Sequence, residues 1–323
     1  MNLSEEKPIP KLPEEIINAI DDNRLLLFVG AGVSKLIGYP LWIELAKGLV
    51  DKCVQKGVVS LSEKEILLSG SFNPMQIVTI ASKRLDGVEN KLGISSVVEQ
   101  LDDKAEYEKG LANKIALFLS NYYSPIITTN ADRSLELSEP LKDRVVLPSF
   151  EKYNEDYNDL SIMHLHGSVE DPESMVFTSQ QYARAYTFEA PFGRQLIKLF
   201  DKDWTILFIG YGVGEFDLLR YFLKKKDVTR RLFMLSGYLD KDAIKLQFDS
   251  EYYDSLGITL LPYSREKEDY FALVKVLEHW DKDVTEKTFA SSRHKKNIID
   301  SITSKSPTDI NVEKILNMVN KNG

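Results

Sequence analysis

Cysteine is nearly absent from this sequence: one in 323 residues, Cys53. A single thiol closes no internal disulfide, and it excludes a zinc site built from four cysteines, so no metal is expected. Cys53 falls at helical spacing from Leu45, Leu49 and Val50, the position of a small core residue. Long apolar runs are missing too; none approaches the roughly 18 residues that cross a membrane. Met1 to Pro13 is charged and broken by proline, unlike a signal peptide, which makes the cytoplasm the expected compartment. Positive charge is not in excess. The net charge of −8 argues against non-specific nucleic-acid binding over the surface, and the basic run Lys224 to Lys226 with Arg230 and Arg231 reads as a solvated helix end and turn. Two nucleotide signatures are also missing. There is no Gly-Lys-Ser/Thr of a Walker loop, and Lys35 stands where the third glycine of a dinucleotide fingerprint would fall.

What is present is ample core material. Apolar residues make up 43% and charged residues 28%, values of a soluble globular protein of one large or two moderate domains. The unbroken run Leu25 to Val29 closes on Gly30 and Gly32, which suits a strand covered on both faces of a parallel sheet. Those glycines permit a sharp turn and close approach of a ligand. With Ser34 opening a helical stretch, free N–H groups there can face a phosphate. The plain alternative is a tight strand-to-helix turn that binds nothing.

Glu14 to Ile20 reads as a helix, and Leu41 to Cys53 as another after the break at Gly38-Tyr39-Pro40. From about Glu63 to Ser120 the pattern stays helical, an inserted helical subdomain between strands. Strands are expected at Pro125 to Thr129, Val145 to Leu147, Ile162 to Leu165, Thr205 to Ile209, Leu232 to Leu235 and Ile258 to Leu261, with Met175 to Phe177 as a short edge strand. Helices are expected to end near Phe200, to cover Phe216 to Leu223, and to run from Tyr270 to Trp280. Past Trp280 the composition turns polar, with some helical spacing at Ile310 to Val319. Strands alternating with helices imply an α/β fold with a mostly parallel sheet.

In such sheets functional residues gather at the carboxyl ends of strands. Four predicted strand ends carry unusual residues: Gly30 to Ser34, Thr128 to Asp132, His164 to Gly167 and Gly210 to Asp217. Each alone has an innocent reading: Asn130 and Asp132 as helix caps, a histidine as a bonded core residue, Gly210 and Gly212 as a turn.

In this order, Gly30-Ala31-Gly32-Val33-Ser34, Thr128-Thr129-Asn130-Ala131-Asp132, His166-Gly167 and Gly210-Tyr211-Gly212 resemble the successive motifs of the sirtuin superfamily, over roughly 23–280. The resemblance implies a Rossmann-like, NAD-binding domain there, with the helical insertion at about 41–120. An N-terminal segment, 1–22, would precede it, and 281–323 would be a polar tail or the start of a further region. It implies that Gly30, Ala31, Gly32 and Ser34 hold the pyrophosphate, that Thr129 is among the cofactor-binding residues, and that Asn130 lies beside the nicotinamide ribose and helps to place water. Asp132 would order that pocket, and His166 would be the base. Gly210, Tyr211, Gly212 and one acid of Glu215 and Asp217 would line the adenosine end. His164 competes with His166; on a strand both would share a face, and only His166 directly precedes the glycine.

Those roles suit the chemistry. Cleaving the nicotinamide–ribose bond builds positive, oxocarbenium-like charge, which a carboxamide and a carboxylate can stabilise. A neutral imidazole can take a proton near pH 7. The sequence departs from protein-deacylating sirtuins in lacking the zinc ribbon and in reading Gly38-Tyr39-Pro40-Leu41-Trp42-Ile43 after the turn. It looks more like the sirtuin-like NAD-cleaving effector domains of bacterial anti-phage defence. The implied reaction is hydrolysis of NAD to nicotinamide and ADP-ribose, linear or cyclic. It would be restrained by a homo-oligomeric assembly, a fused sensor or a regulatory partner such as a defence ATPase. A protein deacylase or ADP-ribosyltransferase, and a non-catalytic scaffold sensing NAD or ADP-ribose, are the alternatives.

Overall fold

A computed structural model describes residues 9–101, 109–122, 124–148, 161–187, 190–212 and 231–286. The apolar run Leu25–Val29 forms the central strand, β1, every residue of which is buried. It is preceded by α1 (Glu14–Asp21) and followed at once by α2 (Ala31–Leu36). Helices α3 (Trp42–Gln55), α4 (Leu61–Leu67), α5 (Pro74–Asp86), α6 (Leu92–Leu101) and α7 (Lys109–Asn121) then lead to β2 (Ile126–Thr128). Next come β3 (Val146–Leu147), β4 (Ile162–His164), α8 (Ser179–Ala185), α9 (Pro191–Asp201) and β5 (Thr205–Ile209). The described chain closes with β6 (Leu232–Tyr238), α10 (Ala243–Ser255), β7 (Ile258–Ser264) and α11, over 272–286.

The seven strands form one parallel sheet in the order β3-β4-β2-β1-β5-β6-β7. An α/β, Rossmann-like sheet is thus the fold. From β1 the chain builds one side of the sheet, with β2 beside it, β3 at the edge and β4 inserted between those two, and at β5 it crosses to the other side, so the switch point lies between β1 and β5. Alternate side chains of β1 feed two cores. Leu25, Leu27 and Val29 join one with residues of α1, α3, α5, α7 and α11, while Leu26 and Phe28 join another with residues of α8 and α9. The helices between β1 and β2 therefore bury their apolar faces in the sheet's own core. Cys53 is buried there, as its spacing predicts.

Three details differ from the sequence reading. Met175 to Phe177 forms no strand. Met175 and Phe177 are apolar because they pack into the core; the backbone makes no ladder, only a local bond from the Met175 N–H to the Pro172 carbonyl (3.2 Å) and one from the Val176 N–H to the His166 carbonyl (2.9 Å). The strand carrying the two histidines ends at His164, so strand alternation does not reach His166. Helix α2 begins at Ala31, inside the glycine pair. The expected helix Phe216 to Leu223, the basic run Lys224 to Lys226 with Arg230, the spacing at Ile310 to Val319, and Glu215 and Asp217 lie outside the described residues.

Candidate functional site

The loops after β1 and β5 interlock at the switch point. The Gly30 N–H donates to the Ile209 carbonyl (2.9 Å) and the Gly32 N–H to the Gly210 carbonyl (2.8 Å). A Cβ on Gly30 would lie 2.6 Å from Tyr211 Cα, and one on Gly32 would lie 2.8 Å from the Gly210 oxygen. The glycines thus permit close approach, but the neighbour they admit is another backbone, and these two N–H groups, expected to be free for phosphate, are engaged. Gly210 has φ +62°, and a Cβ there would meet Val33 N at 2.6 Å, so two constraints fix glycine at this position.

Above the interlock is a cavity of about 330 Å3, lined by Ala31, Gly32, Ser34, Thr129, Asn130, Asp132, Gly210, Tyr211 and Gly212 among others. Nine of the expected site residues therefore meet at one place. Pro40, Leu41 and Trp42 contribute to its wall with Phe177 and Tyr270, and the rings of Trp42 and Phe177 lie 5.0 Å apart. The wall is aromatic and apolar, with few converging polar groups, the composition of a small-molecule site.

Those polar groups form one chain. Asn130 Nδ2 donates to the Gly30 carbonyl (3.1 Å) and to Ser34 Oγ (2.7 Å), and Ser34 Oγ donates to Asp132 Oδ2 (2.6 Å). Asp132 Oδ1 accepts from the Ser134 hydroxyl (2.5 Å) and the Ser134 N–H (3.1 Å). Burial pushes the Asp132 carboxyl above its ordinary range, opposed by the Ser134 and Ser34 hydrogen bonds. The carboxamide is left with one unsatisfied atom: Asn130 Oδ1 is buried and makes no hydrogen bond. A buried orphan acceptor beside a cavity is costly unless something binds there.

The two histidines meet different partners. His164 Nδ1 lies 2.7 Å from the Asn130 carbonyl, and its Nε2 lies 3.4 Å from Glu136 Oε1. Burial, the largest influence, lowers its pKa, but the Glu136 carboxylate, the Asn130 carbonyl and Asp132 together carry it above the ordinary imidazole value. His166 is fully buried, its Nε2 2.7 Å from the Tyr186 hydroxyl and 2.8 Å from the Tyr182 hydroxyl. Those two rings stack at 4.7 Å. His166 does not line the cavity described above. Gly167 follows with φ +76°, where a Cβ would strike the Ser174 carbonyl at 2.5 Å, so the glycine serves the turn that carries His166.

Sequence reasoning missed Glu136, Tyr182 and Tyr186. The two tyrosines stand four residues apart, a helical pair that the spacing does signal. Glu136 gives no such signal, since only the folded chain brings it to His164. Among the described residues no group of His, Cys, Asp and Glu is placed to hold a metal ion, and no helix is long and apolar enough to cross a membrane. No curated protein matches the chain. Residues 124–244 do match the model of the SIR2-like domain family, a span that holds Asn130, Asp132, both histidines and the Gly210 loop, and this match supports a sirtuin-like, NAD-related fold.

Proposed function

We propose that the chain is an NAD glycohydrolase that hydrolyses NAD to nicotinamide and ADP-ribose. The observation that carries this reading is Asn130: its Nδ2 is fixed by Gly30 and Ser34, its Oδ1 is buried without a hydrogen bond, and the residue lines a cavity on the sheet's switch point. A carbonyl oxygen so held accepts a hydrogen bond from a water or a ribose hydroxyl and orients it. Asp132, two bonds further along the same chain, supplies negative charge near the sugar as positive charge develops. Gly32 and Ser34 would hold the dinucleotide's pyrophosphate at the switch point, with Gly210 and Gly212 towards the adenosine end; all four line the cavity. His166 is the base that accepts the proton released when water adds.

The burial of His166 bears on regulation. With Nε2 enclosed by two phenols, the imidazole is withheld from the cavity, which fits an enzyme kept idle until α8 shifts. Restraint of this kind suits the regulated effector of anti-phage defence that the sequence motifs resemble, acting as a homo-oligomer or with a partner such as a defence ATPase. The test is nicotinamide release from NAD by the full chain, alone and assembled. Replacing Asn130 or His166 by Ala should abolish it while the protein stays folded, and turnover surviving both replacements removes the mechanism. The same burial of His166 favours one second reading, a scaffold that senses NAD or ADP-ribose. That reading requires saturable binding by thermal shift with no turnover in any assembly state.

A further inference from the structure

Glu136 and His164 form a charged pair that the chemistry above does not use. Both are buried; their side chains are 3% and 1% exposed. Glu136 Oε1 lies 3.4 Å from His164 Nε2 and 3.6 Å from Arg133 Nε, and neither Glu136 oxygen makes a hydrogen bond. A carbonyl only accepts, so His164 Nδ1 must carry a proton to bond Asn130 at 2.7 Å. If the ring were neutral, its Nε2 lone pair would face the Glu136 carboxylate. The arrangement is coherent only with a second proton between Nε2 and Glu136. Burying two charges is costly, and an apolar pair of similar volume would pack as well or better. What the pair touches is the backbone of Asn130.

That residue is restrained at every other polar point. Its N–H donates to Thr128 Oγ1 (3.0 Å), its Nδ2 to Gly30 and Ser34, and its carbonyl accepts from His164. Because the Gly30 carbonyl only accepts, the carboxamide is oriented with Oδ1 as its spare atom. We infer that Glu136 and His164 are positioning residues that fix the Asn130 backbone and so aim its carboxamide for the reaction. This inference rests on the glycohydrolase reading.

The experiment compares two double variants with the wild-type full chain in its active assembly. His164→Leu/Glu136→Met removes both charges of the pair together, and Arg133 keeps Glu170 as a carboxylate partner at 3.8 Å. His164→Asn/Glu136→Gln keeps an amide donor where Nδ1 stood. The apolar variant is expected to lose about a hundredfold in kcat with KM within about threefold. The amide variant should recover kcat to within about tenfold of wild type. An apolar variant with wild-type kcat, or an amide variant as slow as the apolar one, overturns the inference. If the apolar variant does not fold, His164→Ser/Glu136→Gln takes its place under the same criteria. A wild type that never cleaves NAD overturns the glycohydrolase reading alone. Positioning is then decided by the variant's crystal structure: an Asn130 carboxamide moved by more than about 1 Å supports it, and an unmoved one overturns it.

Discussion

At the scale of single residues, Ser34 is the bridge on which the polar chain depends. Its hydroxyl accepts from Asn130 and donates to Asp132, both buried. Ser34→Ala would strand Asp132 Oδ2 and half of the Asn130 amide, costing about 1–3 kcal/mol, read as a lower urea midpoint at neutral pH. Gly210→Ala meets two obstacles, a φ of +62° and a Cβ 2.6 Å from Val33 N, and should cost at least about 2 kcal/mol by the same measurement. The two shifted groups also give stability a pH dependence. His164 has a folded pKa above its unfolded value, so its contribution is fully present below the ordinary imidazole value and lost as pH rises through the raised one. Asp132, also raised, binds protons more tightly when folded, and its contribution fades as pH climbs from the ordinary carboxylate range through its own higher value. Both push one way. Asp132 is common to wild type and His164→Leu/Glu136→Met, so only the His164 contribution separates them: the Tm of wild type relative to that variant should fall as pH is raised from about 6 to about 9, which a pH series of thermal melts would check.

Among the elements, α8 matters most for access to His166. A capping box fixes its start: Thr178 Oγ1 accepts from the Gln181 N–H, and Gln181 Oε1 accepts from the N–H groups of Thr178 and Phe177. The same glutamine thus ties the helix to a residue of the cavity wall. Tyr182 lies within this helix and Tyr186 caps its end. Tyr186→Phe removes one hydroxyl from His166, and in the resting protein basal nicotinamide release should rise by about fivefold, the equivalent of one hydrogen bond. The elements also show what was legible. Runs such as Leu25 to Val29 and Ile206 to Ile209 announce central strands because both faces are covered, so every residue is apolar. Helix α10 escaped notice since none of its residues is buried and its apolar side chains, Ile244 and Phe248 among them, face solvent. Met175 to Phe177 misled for the opposite reason: burial without a ladder looks like a strand in sequence.

For the molecule as a whole, the site residues that could be read from sequence are those at strand ends, because a parallel sheet delivers every such end to one rim. Ser34, Asn130 and Asp132 converge there as their order along the chain suggested. The partners of the histidines were illegible because each contact joins segments that only the fold brings together, Glu136 to His164 and Tyr182 and Tyr186 to His166. Long-range closure appears again at Trp280, whose indole N–H donates to the Pro10 carbonyl at 2.7 Å and ties the first described segment to α11. Trp280→Phe loses that bond and leaves a void where part of the fully buried indole stood, so at least about 2 kcal/mol of stability should go. Amide exchange around residues 9–13 should quicken before any other region does.

The mutual embrace of Gly30, Gly32 and Gly210 has a mechanical corollary. Two turns whose backbones touch through absent side chains cannot part without rupturing both hydrogen bonds, so the floor of the chamber behaves as a riveted joint. Whatever yields to admit a bulky dinucleotide must belong to the ceiling, where Trp42 and Phe177 meet ring to ring and α8 is hinged next to them.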